Sequence, residues 1–320
     1  MPRKPKLPAK WPALPYDEWA STKKTLQMYT QMAGKVRLAL APAQPEWLAS
    51  CLYMTSRGLT TGRMPYGDLA IELAFDFYDH TLSVLMSDGR VRTIPLGPAR
   101  TVAAFHRNLM DAFTDLDVTV DIWSKPQELD DVTPFELNEH DCSYDADHVL
   151  RWFTVMGIVH NVFDEWRSGF FGRTGLQFWW GVFDLGVLRF SGRHVDAPQD
   201  RGYIMRYDLD AEFMNAGFWP GDDKSPTPVF YAYLHPQPQG CELASIAPTS
   251  AAWVEQRGEW ILPYEAVRAS KDPRDTLMSF LDCIYGIAGD IGGWDVLDHE
   301  YTKPEVPARD KPGAGTGAVI

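Results

Sequence analysis

The spacing of apolar residues predicts four long amphipathic helices. Over residues 17–40, apolar side chains return every three or four positions and so form one buried stripe. That stripe consists of Leu26, Tyr29, Ala33, Val36 and Leu40. The same periodicity predicts helices over residues 98–116, 147–171 and 273–290. Residues 1–16 are too rich in proline for a helix and are expected to form an extended arm.

Alternating apolar and polar residues predict antiparallel strands between the helices. The clearest alternation covers residues 68–80, where one set of side chains is apolar and the other polar. Asp88-Gly89 then favours a type I′ turn between strands 81–87 and 90–96. Further strands are predicted over residues 51–59, 118–123, 176–190, 203–208, 228–234 and 252–262.

This order of elements predicts an α+β fold, in which predominantly antiparallel sheets pack with long amphipathic helices. Residues 17–300 are expected to form one globular domain, followed by a flexible tail over 301–320. Segments 17–123 and 147–300 have a similar order of elements, so we predict two related α-β-β-β-α halves. The acidic residues 124–146 would connect them as a solvated segment.

Composition narrows the classes of partner. The formal charge of −13 makes nucleic acid and anionic membrane surfaces poor partners, because both are bound through clustered Lys and Arg. No apolar run is long enough to cross a bilayer, and no secretory signal is present. Four widely spaced cysteines favour reduced thiols and a cytoplasmic location. No cofactor motif occurs, so no cofactor is expected, and the oligomeric state is left open.

Asp184 is the most conspicuous charged residue, because the surrounding strand 176–190 is apolar on both faces. A carboxylate there is expected to need a partner or to take up a proton. One interpretation is a structural ion pair with Arg37, Arg57 or Arg189. The other is a general acid or base with a raised pKa.

The opposite face of the same predicted strand carries Gln177, Trp179 and Arg189. Gly181 and Gly186 interrupt its wall of side chains, as glycines do where a ligand or another backbone approaches closely. Arginine guanidinium groups are suited to binding carboxylate or phosphate, although they also serve to satisfy loops and strand ends. We therefore predict a concave aromatic pocket on this face.

Two further patterns could bind an anion or a metal ion. The glycine-rich loop 56–67 places Arg57 and Arg63 where an anion could be bound, or it forms an ordinary turn. His160 and Asp164 are four residues apart on one predicted helix face, a spacing that permits joint metal binding. A histidine buried in an apolar stripe is the alternative, and we assign no metal ligands.

Long segments of the chain resemble an uncharacterised bacterial family known only as a domain of unknown function. They are TLQMYTQMAGKVRLAL, LYMTSRGLTTGRMPYG, FWWGVFDLGVLRFSGR, GFWPG and ILPYEAVR. The resemblance implies no established activity. It also implies that relatives often carry histidine where this chain has Gln27, Glu46 and Gln177, so a histidine site of relatives would be altered here.

These observations predict a small-molecule-binding protein or a cofactor-independent enzyme that takes an anionic or aromatic ligand. Asp184 would be the catalytic group. The expected ligand-binding residues are Gln27, Arg37, Arg57, Arg63, Gln177, Trp179, Trp180, Arg189 and Arg193. A non-catalytic interaction or scaffold protein is the main alternative, and a metal-dependent enzyme with His and Asp ligands is the third.

Overall fold

Five helices and two antiparallel sheets make up the part of the chain that the computed structural model describes, residues 11–198, 200 and 208–301. The predicted α+β class is therefore confirmed. The helices are α1 (Tyr16–Leu40), α2 (Val102–Asp115), α3 (Ala146–Ser168), α4 (Tyr264–Arg268) and α5 (Pro273–Asp290). None of these described helices is long and apolar enough to span a membrane.

The first sheet lies between α1 and α2 in the chain. Its strands are β1 (Tyr53–Met54), β2 (Leu59–Thr60), β3 (Met64–Tyr66), β4 (Leu69–Asp76), β5 (Thr81–Met86) and β6 (Val91–Pro95). The strand order is β1-β2-β4-β5-β6, and β3 pairs with β4 beside β2. Alternate residues of β4, such as Ile71, Leu73 and Phe75, are buried in the core, as the sequence pattern predicted.

The second sheet follows α3 and carries the site described below. Its strands are β7 (Leu176–Trp179), β8 (Asp184–His194), β9 (Ala211–Trp219), β10 (Val229–His235), β11 (Ala252–Val254) and β12 (Glu259–Pro263). The strand order is β11-β12-β10-β9-β8-β7. One face packs into the core through residues such as Val187, Ala216, Phe230 and Leu262.

The two sheets meet at one backbone bridge. Leu52, next to β1, pairs with Phe178 of β7 through two hydrogen bonds of 2.9 and 2.8 Å. Both residues are fully buried, and one continuous apolar core includes side chains from both sheets. The sheets are therefore not independent packing units.

The predicted helices are confirmed, and side-chain caps explain where three of them begin. Thr101, Asp145 and Asp272 accept hydrogen bonds from backbone N–H groups in the first turns of α2, α3 and α5. These bonds satisfy donors that have no partner within the helix. The short helix α4 was not predicted, because five residues give too little periodicity.

The prediction of one strand over 176–190 is wrong, because these residues form a hairpin of β7 and β8. Phe183 adopts a positive φ of 67°, and its N–H donates to the carbonyl oxygen of Trp179, closing the turn. The turn pairs Trp179 with Asp184, so both side chains lie on the same sheet face. The sequence pattern had placed them on opposite faces.

Other strand predictions also need correction. Residues 51–59 contain β1 and the start of β2 rather than one strand, and 252–262 forms the hairpin of β11 and β12. Residues 118–123 are irregular. Only Gly89 has a positive φ in the turn after β5, so this is a three-residue loop and not a type I′ turn. Most of the predicted strand 203–208 lies outside the described residues, and β9 was not predicted.

Candidate functional site

A cavity of about 690 Å³ lies on the face of the second sheet that points away from the core. Its floor comes from alternate residues of neighbouring strands, because side chains alternate across a sheet. These residues include Asp184 and Leu188 of β8, Asn215 of β9, Tyr231 of β10 and Glu259 of β12. The volume falls within the range of small-molecule sites, roughly 300–1,000 Å³.

Two glycines leave room for the floor of this cavity. Gly186 of β8 pairs directly with Gly217 of β9, so the cavity-facing side of the sheet has no side chains at this point. The Tyr231 ring lies so close above Gly217 that a Cβ atom there would overlap it. A Cβ atom at Gly186 would lie 3.1 Å from Trp179 Nε1. Small residues at these positions therefore let two aromatic side chains lie flat across the sheet.

Asp184 is the buried acid at the floor. The side chain is 3% exposed, and its Oδ2 accepts a hydrogen bond from the Tyr231 hydroxyl. Its Oδ1 is buried and has no hydrogen-bond partner in the described structure. Burial raises the pKa of Asp184 to about 7, although the Tyr231 bond opposes this rise, and nearby Glu128 adds to it.

Further carboxyl groups line the cavity. Burial and the neighbouring Asp210 raise the pKa of Asp208 to about 6. Burial and Asp208 raise the pKa of Glu128. Burial also raises the pKa of Glu259, against the influence of Arg257. The cavity is therefore acidic, and Asp184, Asp208, Glu128 and Glu259 hold protons at higher pH than they would in water.

One wall comes from the acidic connection between the two sheets. Gln31 of α1 holds this connection by donating to the Gln127 carbonyl oxygen at 2.8 Å and accepting from the Gln127 N–H at 2.9 Å. Lys35 donates to the Lys125 carbonyl oxygen at 2.8 Å. These bonds from buried α1 side chains bring Glu128 to the cavity, where a Cβ atom on Gly181 would lie 2.8 Å from its Oε2.

The turn between β7 and β8 forms the adjoining wall. Gln27 of α1 donates to the Gly181 carbonyl oxygen, and Trp180 Nε1 donates to the Ser50 carbonyl oxygen at 2.7 Å. Trp219 Nε1 donates to the Val182 carbonyl oxygen at 3.1 Å. Three separate parts of the chain thus hold this turn, and the surrounding rings give the cavity an aromatic lining. The rings belong to Trp47, Trp179, Trp180, Phe213, Trp219, Tyr231 and Tyr233.

Four of the residues predicted from sequence line the cavity: Gln27, Trp179, Trp180 and Asp184. Gln177 lies on the same sheet face, opposite Gly186, and is buried with an unpartnered Oε1, but it does not reach the lining. The aromatic part of the predicted pocket is therefore assembled at one place.

The predicted arginines lie elsewhere. Buried Arg37 binds the Thr61 and Leu48 carbonyl oxygens and the Tyr53 hydroxyl, so it fastens α1 to the glycine-rich loop. Arg57 pairs with Asp76 and Asp79. Arg63 is exposed. None of these three lines the cavity.

Arg189 and Arg193 are also occupied away from the cavity. Arg189 points to the core side of β8, where it donates to the Trp166 carbonyl oxygen. Its guanidinium carbon lies 3.5 Å from the Trp166 ring centroid and 4.4 Å from that of Tyr285. Arg193 pairs with Glu212 at 2.6 Å. Asp184 therefore has a tyrosine as its partner and not one of the predicted arginines.

Sequence reasoning missed most of the acids. Glu128 lies in a segment without periodicity and Asp208 at the end of the predicted strand 203–208, and neither pattern placed them near Asp184. Tyr231 and Tyr233 could have been found, because they alternate with Phe230 and Ala232 in β10 and so share one face. A polar set on an otherwise apolar strand was the available signal.

One group of possible metal ligands occurs within the described ranges: Asp131, His140 and Asp141. Lys24 Nζ lies 3.9 Å from Asp131 and 3.4 Å from Asp141, so a cation from the protein already faces both carboxylates. The predicted pair of His160 and Asp164 is not part of this group, and Asp164 pairs with Arg167 at 3.2 Å.

Comparison with protein-family models gives a match to the Family of unknown function (DUF5996) over residues 11–301. The chain belongs to this family. The resemblance to an uncharacterised domain family is thus confirmed, and the DUF5996 match includes both sheets and the whole cavity. Searches among curated proteins and among solved structures gave no significant match.

Proposed function

We propose that this DUF5996 protein binds a small organic molecule in the cavity above β8, β9 and β10. The observation that carries the proposal is the unpartnered Oδ1 of Asp184, a buried acceptor at the floor of an aromatic cavity. A buried carboxyl oxygen without a partner is costly, and a bound ligand that donates a hydrogen bond would remove this cost.

The shape and lining of the cavity support a ligand that is partly aromatic or apolar. Rings from several strands surround the floor, while the polar groups converge on Asp184, Asn215 and Tyr231. An apolar enclosure with a few converging polar groups is the usual composition of small-molecule sites. The four cysteines are free, which agrees with the proposed cytoplasmic location.

The test is a screen of neutral, soluble ring compounds by thermal shift and ligand-observed NMR. Val229→Trp is expected to fill the cavity, because Val229 lies in its lining. Val91→Trp is the matched control, because Val91 is 44% exposed on β6 of the other sheet. A compound at about ten times its Kd should raise Tm by roughly 2–4 °C. This rise should occur in wild type and Val91→Trp but not in Val229→Trp.

Compounds that stabilise all three proteins equally would bind outside the cavity and would contradict the proposal. The absence of any cavity ligand, both in this screen and among charged ring compounds, would contradict it as well.

Proton-transfer catalysis at Asp184 is the second candidate. An acid whose pKa is about 7 is matched to proton transfer near neutral pH, and its Oδ1 is free to act. NMR of a cavity ligand in D₂O would show exchange of a carbon-bound proton catalysed by wild type and lost in Asp184→Asn. Equal exchange with both proteins would exclude the role.

A further inference from the structure

The charges of the described residues around the cavity are strongly unequal. Five carboxyl-bearing residues line it, namely Glu128, Asp184, Asp208, Asp222 and Glu259, against the two basic residues Lys23 and Arg257. An acidic enclosure of this kind disfavours an anion and attracts a cation. The cavity therefore lacks the arginine lining from which an anionic ligand was predicted.

The two basic residues have partners of their own. Arg257 lies 3.4 Å from Glu259, donates to the Ser225 hydroxyl at 2.9 Å, and sits over the Trp219 ring. Lys23 lies 5.5 Å from the Phe183 ring centroid, and Asp222 and Asp223 stabilise its charge. Glu259 is thus paired with Arg257, and the Asp222 carboxylate accepts hydrogen bonds from the Lys224 and Ser225 N–H groups at 2.9 and 2.7 Å.

Three acids are left without a cationic partner among the residues that the structure describes. Asp184, Glu128 and Asp208 form no ion pair with any residue in the described ranges. Asp184 is the deepest of them, and its Oδ1 is the unpartnered atom at the floor. Burying Asp184 is unfavourable unless it is neutralised by a proton or by a bound cation, and Glu128 and Asp208 add negative charge beside it.

The surrounding rings are also suited to a cation. Trp179, Tyr231 and Tyr233 lie on the sheet face that carries Asp184, and Trp219 adds a further ring to the lining. The faces of aromatic rings attract ammonium groups, and cages of such rings bind organic ammonium ions in other proteins. The Asp184 carboxylate and the surrounding rings therefore both favour a positively charged ligand.

We propose that the ligand is an organic ammonium ion, with its charged nitrogen beside Asp184 Oδ1 and its apolar part against the aromatic walls. This inference rests on the proposed function, because it names the class of ligand that the same cavity takes. A neutral ligand rich in hydroxyl groups would also satisfy Asp184, so the experiment must separate charge from hydrogen bonding.

Three probes share one indole skeleton and differ in charge: tryptamine is a cation, tryptophol is neutral, and indole-3-acetate is an anion. Calorimetric titrations at pH 6.5 would measure both the affinity and the number of protons exchanged, by using buffers of different ionisation enthalpy. An aliphatic ammonium group, like that of lysine, stays charged at this pH. Any proton released therefore comes from the protein.

Tryptamine is expected to bind about tenfold more tightly than tryptophol, and indole-3-acetate most weakly. Tryptamine should also release protons, because an ammonium group lowers the pKa of the acid that it contacts. The groups that face Asp184 are the Tyr231 and Tyr233 hydroxyls, Glu128 and Glu259. Tyrosine hydroxyls stay protonated at pH 6.5, so the released protons come from the carboxyl groups.

Asp184→Asn should reduce tryptamine affinity about tenfold, reduce proton release, and leave tryptophol affinity unchanged. Glu128→Gln is a second variant in case Asp184→Asn fails to fold, because Glu128 lines the cavity near Asp184, and it should weaken tryptamine in the same selective way. Asp282→Asn is the matched control, because Asp282 accepts from Trp166 and lies outside the cavity lining.

Tight binding of tryptophol or indole-3-acetate that Val229→Trp abolishes would overturn the ammonium inference and leave the proposed function standing. The inference would also be overturned if tryptamine bound without releasing protons. The same holds if tryptamine bound to Asp184→Asn as tightly as to wild type. If none of the probes binds while the neutral screen finds cavity ligands, only the ammonium inference fails. If neither experiment finds a ligand, both proposals fail.

Discussion

At the scale of single residues, Asp184 is held between two opposing influences. Burial under the cavity favours its protonated form, whereas the hydrogen bond from the Tyr231 hydroxyl favours the carboxylate. Burial is the larger effect, so the pKa is raised to about 7. A carboxyl group in this state can bind a cation by giving up its proton, which links ligand charge to pH.

Asp184→Asn is expected to change the pH dependence of stability. The folded protein holds a proton on Asp184 at pH values where the unfolded chain has lost it, so wild-type stability falls as pH rises through about 7. Asparagine cannot titrate. The free energy of unfolding of the variant, relative to wild type, should therefore rise by about 2–3 kcal/mol between pH 5 and pH 8.

Urea unfolding of both proteins at the two pH values measures this difference. Tyr231→Phe is a useful second variant, because losing the hydroxyl donor should raise the pKa of Asp184 further and steepen the pH dependence. Parallel pH profiles for wild type and Asp184→Asn would show that Asp184 is already ionised in the folded protein.

Arg189 shows why a residue type alone did not locate the site. An arginine on an apolar strand has several ways to be satisfied, and here the Trp166 carbonyl oxygen and two aromatic rings provide them. The apolar strand around Arg189 indicated that its guanidinium group is buried, and the side chain is indeed only 5% exposed. The face of the sheet from which the Arg189 side chain projects depends on the hairpin turn at 180–183, and the local sequence pattern did not indicate this turn.

At the scale of elements, α1 supports the cavity from outside the sheet. Its side chains hold the turn between β7 and β8 and the acidic connection, through Gln27 and Gln31 respectively. Gly34, on the same helix, lies against the Trp180 indole so closely that a Cβ atom would overlap the ring. The lack of a side chain at Gly34 therefore contributes more to stability, by making room for Trp180, than the low helix propensity of glycine costs at this position.

Gly34→Ala and Gly157→Ala should change stability in opposite directions. Both glycines lie inside long helices, where alanine is favoured by roughly 0.5–1 kcal/mol when space permits. A Cβ atom on Gly157 of α3 meets nothing within 4 Å, so this variant should be stabilised by that amount. Gly34→Ala should instead lose about 1–3 kcal/mol, because Trp180 must move away.

Chemical denaturation of the two variants against wild type tests the comparison, and Trp180→Leu provides a check on the mechanism. In that background the cost of Gly34→Ala should shrink, because the overlapping ring is gone. Stabilisation by Gly34→Ala in the wild-type background would mean that α1 and Trp180 are not in close contact.

Long helices and regular strands could be predicted from the sequence, whereas the hairpins around the site could not. The apolar stripe in α1 and the apolar–polar alternation in β4 each repeat several times, so the helix and the strand can be recognised despite single exceptions to the pattern. Residues 176–190 instead contain a tight turn whose key residue, Phe183, is not a typical turn residue. Tertiary contacts from Gln27 and Trp180 hold this turn, and single-sequence patterns do not contain that information.

At the scale of the whole molecule, the cavity depends on parts of the chain that are far apart in sequence. The second sheet supplies the floor, α1 and residues 127–129 supply walls, and the bridge between Leu52 and Phe178 joins the sheets beside β7. The family match covers all of these parts. Composition suggested an acidic protein, but only the fold shows that several of its acids converge on one enclosed site.

The arrangement also explains why the predicted ligand charge differed from the charge that the geometry supports. Arginines near the aromatic segment suggested an anion, but core and surface partners occupy them. Acids from the connection 124–146 and from β12 took their place, and these segments had been treated as solvent-exposed or merely structural. These acidic residues are far apart in the sequence, so the sequence alone did not indicate that folding brings them together.

The most direct test of the ligand site is a crystal structure of the protein with tryptamine. We predict that the ammonium nitrogen lies within hydrogen-bonding distance of Asp184 Oδ1, about 2.8–3.0 Å, with the indole against the aromatic walls. Tryptamine bound only outside the cavity, or bound inside it with the ammonium group directed away from Asp184, would contradict the account.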